Sequence, residues 1–377
     1  MKPILQKNDF KLLDTIRGIA ALYVVIAHCR GTLWLGGSEF LKLFPRESWN
    51  AWDAVMFGTS MLTRLAVEFV IVFFVLSGFS IAHSLSSNQS PWQFYKRRLI
   101  RIYPSYLTAL VWAGIIFLVT KGIFPQWYDG TYTQFAFLRT MEMNEYFEPK
   151  VVAGNLFYMP IHGFIGPFWS LTYEVMFYLM APFLLRQRNV YVLTSLALFL
   201  FNLFLPNVVA SLGLPLYIYE FLFIYNIYFA VGVYFYTHFS MVSNWFVNYT
   251  KVEFIAIMAG LLLFIYGANI YLKIENVFTF IESAMLSVVL IVFFLKYKIR
   301  IPLISNVGKY SYTLYITHFA SIYLYLAFYW LIAGKDMPQI TNFAVWVGGV
   351  FFCLLMGWIQ YLLIEKNTQS WLARLRK

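Results

Sequence analysis

An arginine and a histidine stand eleven residues apart in an otherwise apolar run, Asp14-Thr-Ile-Arg17-Gly-Ile-Ala-Ala-Leu-Tyr-Val-Val-Ile-Ala-His28. An ionisable group inside a membrane helix costs about 2.5–3.5 kcal/mol on insertion scales, so each is a functional suspect by default. Eleven residues make three helical turns plus about 20°, which puts Arg17 and His28 on one face, roughly 16 Å apart along the axis. A cation near one mouth with a titratable imidazole deep above it suits a long anionic ligand that enters from the cytosolic side. A second candidate is Glu174, in Phe168-Trp169-Ser170-Leu-Thr172-Tyr173-Glu174-Val-Met-Phe177-Tyr178. It falls about 12 Å below the outer end of its helix, a depth similar to that of His28. A carboxylate beside an imidazole orients its tautomer and stabilises the imidazolium. The same pair also serves as a plain strut between helices.

Three more segments carry polar chemistry. Lys96-Arg97-Arg98-Leu-Ile-Arg101-Ile-Tyr103-Pro104 brings guanidiniums within one helical turn. Arginine forks match phosphate oxygens, although basic clusters also anchor cytosolic helix ends. Val72-Phe73-Phe74-Val75-Leu76-Ser77-Gly78-Phe79 sets small residues among large ones, which lets another helix or a ligand come close. Gly308-Lys-Tyr-Ser311-Tyr312-Thr-Leu314-Tyr315-Ile-Thr-His318 places a histidine near mid-membrane, either neutral and hydrogen-bonded or reactive. His83, His162 and His238 sit at helix ends or in loops, and the five histidines show no metal-ligand spacing such as His-x-x-x-His. Cys29 adjoins His28, but helix neighbours point about 100° apart, so it reads as a buried, inert thiol. With Cys353 also in a hydrophobic span, the sequence contains no disulfide framework.

These residues need membrane helices to position them, and composition supplies the helices. The chain is 61% hydrophobic and 12% charged, against about 25% charged for soluble domains. Ten apolar stretches approach the length that crosses about 30 Å of hydrocarbon. They lie at roughly 12–36, 62–84, 104–121, 166–186, 190–206, 213–237, 252–271, 276–296, 308–333 and 341–364, the fifth being short. The reading is all-α and polytopic, one membrane domain over 1–377 with no soluble appendage or cleaved signal. A cytosolic N-terminus places 19 of the 28 lysines and arginines inside, so both termini are expected there. That bias accounts for the net charge of +11 and leaves no basic face for nucleic acid. The stretches 37–61 and 122–165 then lie outside. The second mixes aromatics with Arg139, Glu142, Glu145 and Glu148, suited to an interfacial belt or to stacking on sugar rings.

In this order the segments resemble the acyltransferase-3 family of bacterial integral-membrane O-acyltransferases. The matching residues are Leu13-Asp14-x-x-Arg17-Gly18-x-Ala20-Ala21 with His28, Phe73 to Phe79, and Arg98-x-x-Arg101-x-Tyr103-Pro104. They continue with Trp169-Ser170-Leu171, Glu174 and Phe177-Tyr178, then Ser311-Tyr312-x-Leu314-Tyr315-x-x-His318, and close on Ile364-Glu365-Lys366. Each piece is weak alone; six in order across nearly the whole chain are specific. The resemblance implies ten helices and transfer of acetyl groups from cytosolic acetyl-CoA to hydroxyls of extracytoplasmic glycans, in a bacterial cytoplasmic membrane and without a metal. Two positions depart from the pattern: the acid often found at Ile71 is replaced by Glu68 one turn earlier, and a second acid after Glu174 is Val175.

The chemistry fits the residues. A hydroxyl is almost wholly protonated at neutral pH, so its attack on a thioester needs a base within hydrogen-bond reach. His28 is the candidate base, or alternatively an acyl carrier, with Glu174 holding its ring. Arg17, Arg98 and Arg101 are the candidates for the CoA phosphates; Trp169, Glu68 and His318 are those for contacting substrate. Glu68, Glu174, Glu220 and Glu282 share a depth of about 9–12 Å. At least two of them, Glu174 foremost, are expected to line a wet vestibule, while Glu220 and Glu282 suit pairing with tyrosines or with Arg30 and Arg64. The rival reading is a transporter or flippase of lipid-linked sugars or small solutes, whose midplane charges look alike. A peptidoglycan or antibiotic acyltransferase of the same fold is a third. The charge bias predicts that single cysteines placed in 37–61 and 122–165 react with an impermeant maleimide in intact cells. Labelling at the termini instead would invert the topology.

Overall fold

The computed structural model describes residues 9–34, 41, 44–86, 90–128, 148–159, 166–268, 277–334 and 343–374. Within them all regular structure is helical, with no strand. Apart from two short helices, Pro206–Ala210 and Phe239–Trp245, the helices are α1 (Asp9–Leu33), α2 (Ala51–Met61), α3 (Ala66–Ser84), α4 (Pro91–Ile123), α5 (Pro149–Leu156), α6 (Trp169–Leu184) and α7 (Arg188–Phe204). They continue with α8 (Leu216–Thr237, containing a π turn at Phe221–Tyr225), α9 (Lys251–Gly267), α10 (Val277–Tyr297) and α11 (Pro302–Lys309). The last are α12 (Ser311–Ala333), α13 (Phe343–Gln360) and, after a second π turn at Tyr361–Glu365, α14 (Lys366–Arg374). Arg139, Glu142, Glu145 and His162 fall outside the described residues.

Eight continuous helical stretches among the described residues are long and apolar enough to cross a membrane, where the sequence suggested ten. The fourth and fifth expected spans run together in one stretch, Gly166–Phe204, joined by the 3-10 turn Leu185–Gln187. Its 39 residues correspond to about 58 Å at helical rise. The seventh expected span forms α9, only 17 residues long. The basic segment Lys96–Arg101 does not stand apart from the expected third span. It is the early part of α4, which runs on through Pro104. Inside 37–61 lies α2, started by a capping box in which Asn50 and Asp53 satisfy each other's backbone N–H groups.

The chain divides into two compact units, and α1, α3, α4 and α6 each contribute residues to both. The first comprises Met1–Ala20, Val67–Arg98 and Ser170–Lys309. Its helices meet at two reciprocal glycine crossings. A Cβ on Gly78 of α3 would overlap the Phe229 carbonyl of α8, and one on Gly232 of α8 would overlap the Val75 carbonyl of α3. Likewise Gly18 of α1 faces the Ile304 carbonyl, and Gly308 of α11 faces the Asp14 carbonyl. Lipid tails are as apolar as leucine, so helices associate in a membrane through close packing and hydrogen bonds. Phe229 fills the space beside the first crossing, its ring 4.6 Å from Phe74 and 4.5 Å from Phe177. Between α7 and α8, Tyr191 donates to Asn226 at 2.7 Å and Asn226 donates to Ser195 at 2.8 Å, closing a buried polar network.

The second unit comprises Ala21–Ala66, Leu99–Trp169 and Tyr310–Lys377. Here α12 packs along α13, with Gly357 against Leu314. Trp34 lies face to face with Trp346 at 5.2 Å, and the Trp346 indole N–H donates to the Ile26 carbonyl at 3.1 Å, joining α1 to α13.

Because the crossing leaves no room for a side chain, Gly232→Leu should separate α3 from α8. We expect a sharp fall in folded yield and melting temperature in detergent. Gly260→Leu on α9, where an added Cβ meets nothing within 4 Å, should leave both near wild type. Equal behaviour of the two variants would refute the close crossing.

Candidate active site

In the second unit, α12 works as an anchoring rod. On it, Tyr312 donates its hydroxyl to the Ile102 carbonyl of α4 at 3.1 Å. Tyr315 donates to the Pro167 carbonyl at 3.0 Å, gripping the 3-10 turn Gly166–Phe168 that leads into Trp169. Thr313 donates to the buried Glu365 carboxylate at 2.5 Å, which gives the closing Ile364-Glu365-Lys366 segment a partner.

His318, fully buried, stands one turn beyond Tyr315. Its Nδ1 is 2.7 Å from the Tyr315 carbonyl and 3.2 Å from that of Leu314. Its Nε2 is 2.8 Å from Nδ1 of the half-buried His28 on α1. The two ring planes differ by 4° with centroids 5.1 Å apart, and Phe319 stands edge-on to His28 at 5.9 Å. Beneath the pair, Cys29 and Cys353 bring their sulfurs to 3.8 Å, and the Cys353 thiol lies 3.5 Å from the His318 carbonyl. Both cysteines are free and wholly buried. Cys29 is therefore enclosed as expected, but its pairing with Cys353 was not foreseen.

The first unit holds Arg17, Arg98 and Glu174, of which Arg17 and Glu174 are bonded to serines on α3. Arg17 is paired with Asp14 one turn earlier at 3.1 Å, and its guanidinium also donates to Ser80 at 2.9 Å. Three residues before Ser80, Ser77 donates to the Glu174 carboxylate at 3.2 Å and lies 3.4 Å from the Tyr178 hydroxyl. Tyr178 in turn donates to Glu174. The guanidinium of Arg98 lies over the Tyr178 ring at 5.2 Å and over Phe94 at 5.5 Å, a cation–π arrangement. The middle of α3, the carboxylate of α6 and a cation of α4 are thus tied together through Tyr178 and Ser77.

The structure brings some expected residues together and separates the roles of others. The ring partner it gives His28 is His318, where the sequence suggested Glu174; the carboxylate of Glu174 is occupied by Ser77 and Tyr178. Glu68 is buried in the first turn of α3, Arg101 is exposed on α4, and Trp169 is half-buried at the start of α6. Glu220 accepts the Tyr173 hydroxyl, as a structural pairing requires. Arg30 donates to Thr63 at 3.1 Å, and Glu282 Oε2 has no hydrogen-bond partner among the described residues. Ser77 and Tyr178 lie in segments that the sequence marked, but the hydrogen-bonding roles of Ser77, Ser80 and Tyr178 were not read there. Their signal was the pair of hydroxyls at i and i+3, one helix face inside an apolar run. The described residues hold no group of three or more histidine, cysteine, aspartate or glutamate side chains placed to bind a metal.

Comparison with known proteins then identifies the family. The acyltransferase-3 family model, described as an acyltransferase domain, matches residues 10–362. Acyltransferase MdmB of Streptomyces mycarofaciens is 35% identical over 130 residues, 33% of this chain and 30% of that protein. Protein 2 in the picA locus of Rhizobium radiobacter is 32% identical over 114 residues, 29% of this chain and 46% of its own. Nodulation protein 10 of Rhizobium leguminosarum bv. viciae is 26% identical over 185 residues, 48% of this chain and 44% of its own. The chain spans less than half the length of each of these relatives, and no solved structure matches it. With the family model covering residues from the first turn of α1 to the second π turn, the chain belongs to the acyltransferase-3 family.

Proposed function

We propose that the chain is a membrane O-acyltransferase. It takes an acyl group, acetyl in the simplest case, from cytosolic acyl-CoA. It transfers that group to a hydroxyl of an extracytoplasmic glycan or lipid-linked sugar, in a bacterial cytoplasmic membrane with both termini cytosolic. Residues 1–377 act as one acyltransferase domain. The family supplies the reaction class, and the printed name of MdmB, an acyltransferase, agrees with it. The observation that carries the residue-level reading is the His28 imidazole, which meets His318 at 2.8 Å and stands on the same helix as Arg17.

In this reading the acceptor oxygen attacks the thioester carbonyl while its proton passes to an imidazole nitrogen of His28. Collapse of the tetrahedral intermediate breaks the C–S bond, and the proton goes to the departing CoA thiolate. In the carrier variant the imidazole attacks first, the C–S bond breaks and CoA leaves as thiolate; the hydroxyl then attacks the acyl-imidazole, the C–N bond breaks, and the hydroxyl proton ends on the thiolate, restoring neutral His28. Arg17, Arg98 and Arg101 bind CoA phosphates; Trp169 and Glu68 serve the acceptor side. Glu174, anchored by Ser77 and Tyr178, completes the proposed catalytic set with His28.

Two experiments test the assignment. His28→Ala should cut turnover by about 10²–10⁴-fold, the usual worth of a general base, with acyl-CoA affinity and folded yield retained. Rapid quenching with labelled acetyl-CoA and no acceptor, followed by mass spectrometry, then separates base from carrier by label on His28. Full activity of the alanine variant would defeat both forms. Arg98→Ala should weaken acyl-CoA binding by about 1.5–3 kcal/mol for a lost charged hydrogen bond. Arg98→Lys should recover only part of it, lacking the planar fork. Unchanged affinity in the alanine variant, measured by calorimetry, would return Arg98 to a topological and packing role.

A further inference from the structure

The hydrogen bonds around the histidine pair fix where its protons sit. Two groups approach His318 Nδ1, the carbonyls of Tyr315 at 2.7 Å and Leu314 at 3.2 Å. Carbonyl oxygens only accept, so Nδ1 carries the proton, and in the neutral ring Nε2 is then bare. That bare nitrogen lies 2.8 Å from His28 Nδ1, and two bare nitrogens at this distance would repel. The proton between the rings therefore belongs to His28 Nδ1, which donates. The ring geometry agrees: the centroid separation of 5.1 Å matches the hydrogen bond plus two ring radii, and the planes are parallel within 4°. The bond thus runs in the plane of both rings, along the lone pair of His318 Nε2. With its proton on Nδ1, neutral His28 has Nε2 as its only basic nitrogen.

We propose that His318 is a positioning residue that holds His28 in its Nδ1–H tautomer and so presents Nε2 as the reactive atom. This deepens the acyltransferase reading and rests on it. It also moves His318 from the substrate side, where the sequence placed it, to a role behind the reactive ring. The logic is that of a carboxylate behind a catalytic imidazole, with a neutral acceptor in its place. The acceptor itself is backed by the helix: the carbonyls at i−3 and i−4 stay with His318 because the proton they bind keeps its Nε2 bare. When Nε2 of His28 takes the hydroxyl proton, its Nδ1–H remains bonded to His318. The same Nε2 proton is then returned to the thiolate, so the pair ends as it began. A free imidazole favours the opposite tautomer, and without His318 Nε2 would more often be blocked by its own proton.

The test reads tautomers directly. In protein labelled with ¹⁵N-histidine and reconstituted in liposomes, His28 and His318 are assigned by the signals lost in His28→Asn and His318→Asn. Both rings should show a protonated Nδ1 and a bare Nε2. A protonated Nε2 on resting His28 would overturn the proposal whatever the enzyme's activity, whereas a fully active His28→Ala would overturn the acyltransferase role and leave the tautomer measurement intact. Kinetics give the second arm. His318→Leu should lower kcat at least about 10²-fold, within the range for lost general-base function, and leave KM for acyl-CoA unchanged. His318→Gln, whose side-chain carbonyl can accept from His28 Nδ1, should recover most of that loss. A leucine variant that loses only melting temperature, or a glutamine variant no better than leucine, would reduce His318 to a strut between α1 and α12.

Discussion

Hydrocarbon offers no hydrogen bonds, so a polar side chain at membrane depth must find its partner within the protein. That constraint organises both units. Arg17 is tied to Asp14 and Ser80, Glu174 to Ser77 and Tyr178, His28 to His318, and Glu365 to Thr313. Most of these pairs join different helices. Each bond fixes a register between two segments that apolar packing alone would let slide. The chemistry-bearing residues are in this sense also the pins of the fold. Removing one leaves its partner unsatisfied, which costs more than the bond itself contributes.

Side-chain pairs of this kind require helices that approach closely, and the glycines provide the approach. Gly78 and Gly232 press α3 and α8 backbone to backbone, and Ser77 and Ser80 on the same helix then reach Glu174 and Arg17. Gly18 and Gly308 do the same for α1 and α11, immediately beside Arg17. The small residues of the motifs and their charged neighbours thus serve one purpose from two sides. The first group sets helix spacing; the second uses it.

Much of this was legible in the chain because it is local. Composition alone dictates membrane helices, and the order of six short motifs points to the family that the match over residues 10–362 then shows. Arg17 and His28 could be placed on one helix by counting residues. What the sequence hid is tertiary pairing. His28 and His318 are 290 residues apart, and Cys29 and Cys353 are 324 apart. Nothing in either segment states which helix faces which. Depth arithmetic matched Glu174 to His28 because depth ignores rotation about the helix axis; the hydrogen bonds of Glu174 instead run to α3 and its own helix. Helix boundaries were hidden for a related reason. A 3-10 turn links α6 and α7 with no break in helical character, and α9 stops at 17 residues.

The proposed chemistry transfers acyl groups rather than moving intact solutes. Sealed liposomes containing the purified protein, with acetyl-labelled acyl-CoA on the side of the termini and a glycan on the other, put that claim to one measurement. Acyl transfer predicts label in an alkali-labile ester on the glycan, at a rate that collapses in His28→Ala. Label-free glycan, together with protein-dependent passage of unmodified solute, would contradict it and favour a carrier.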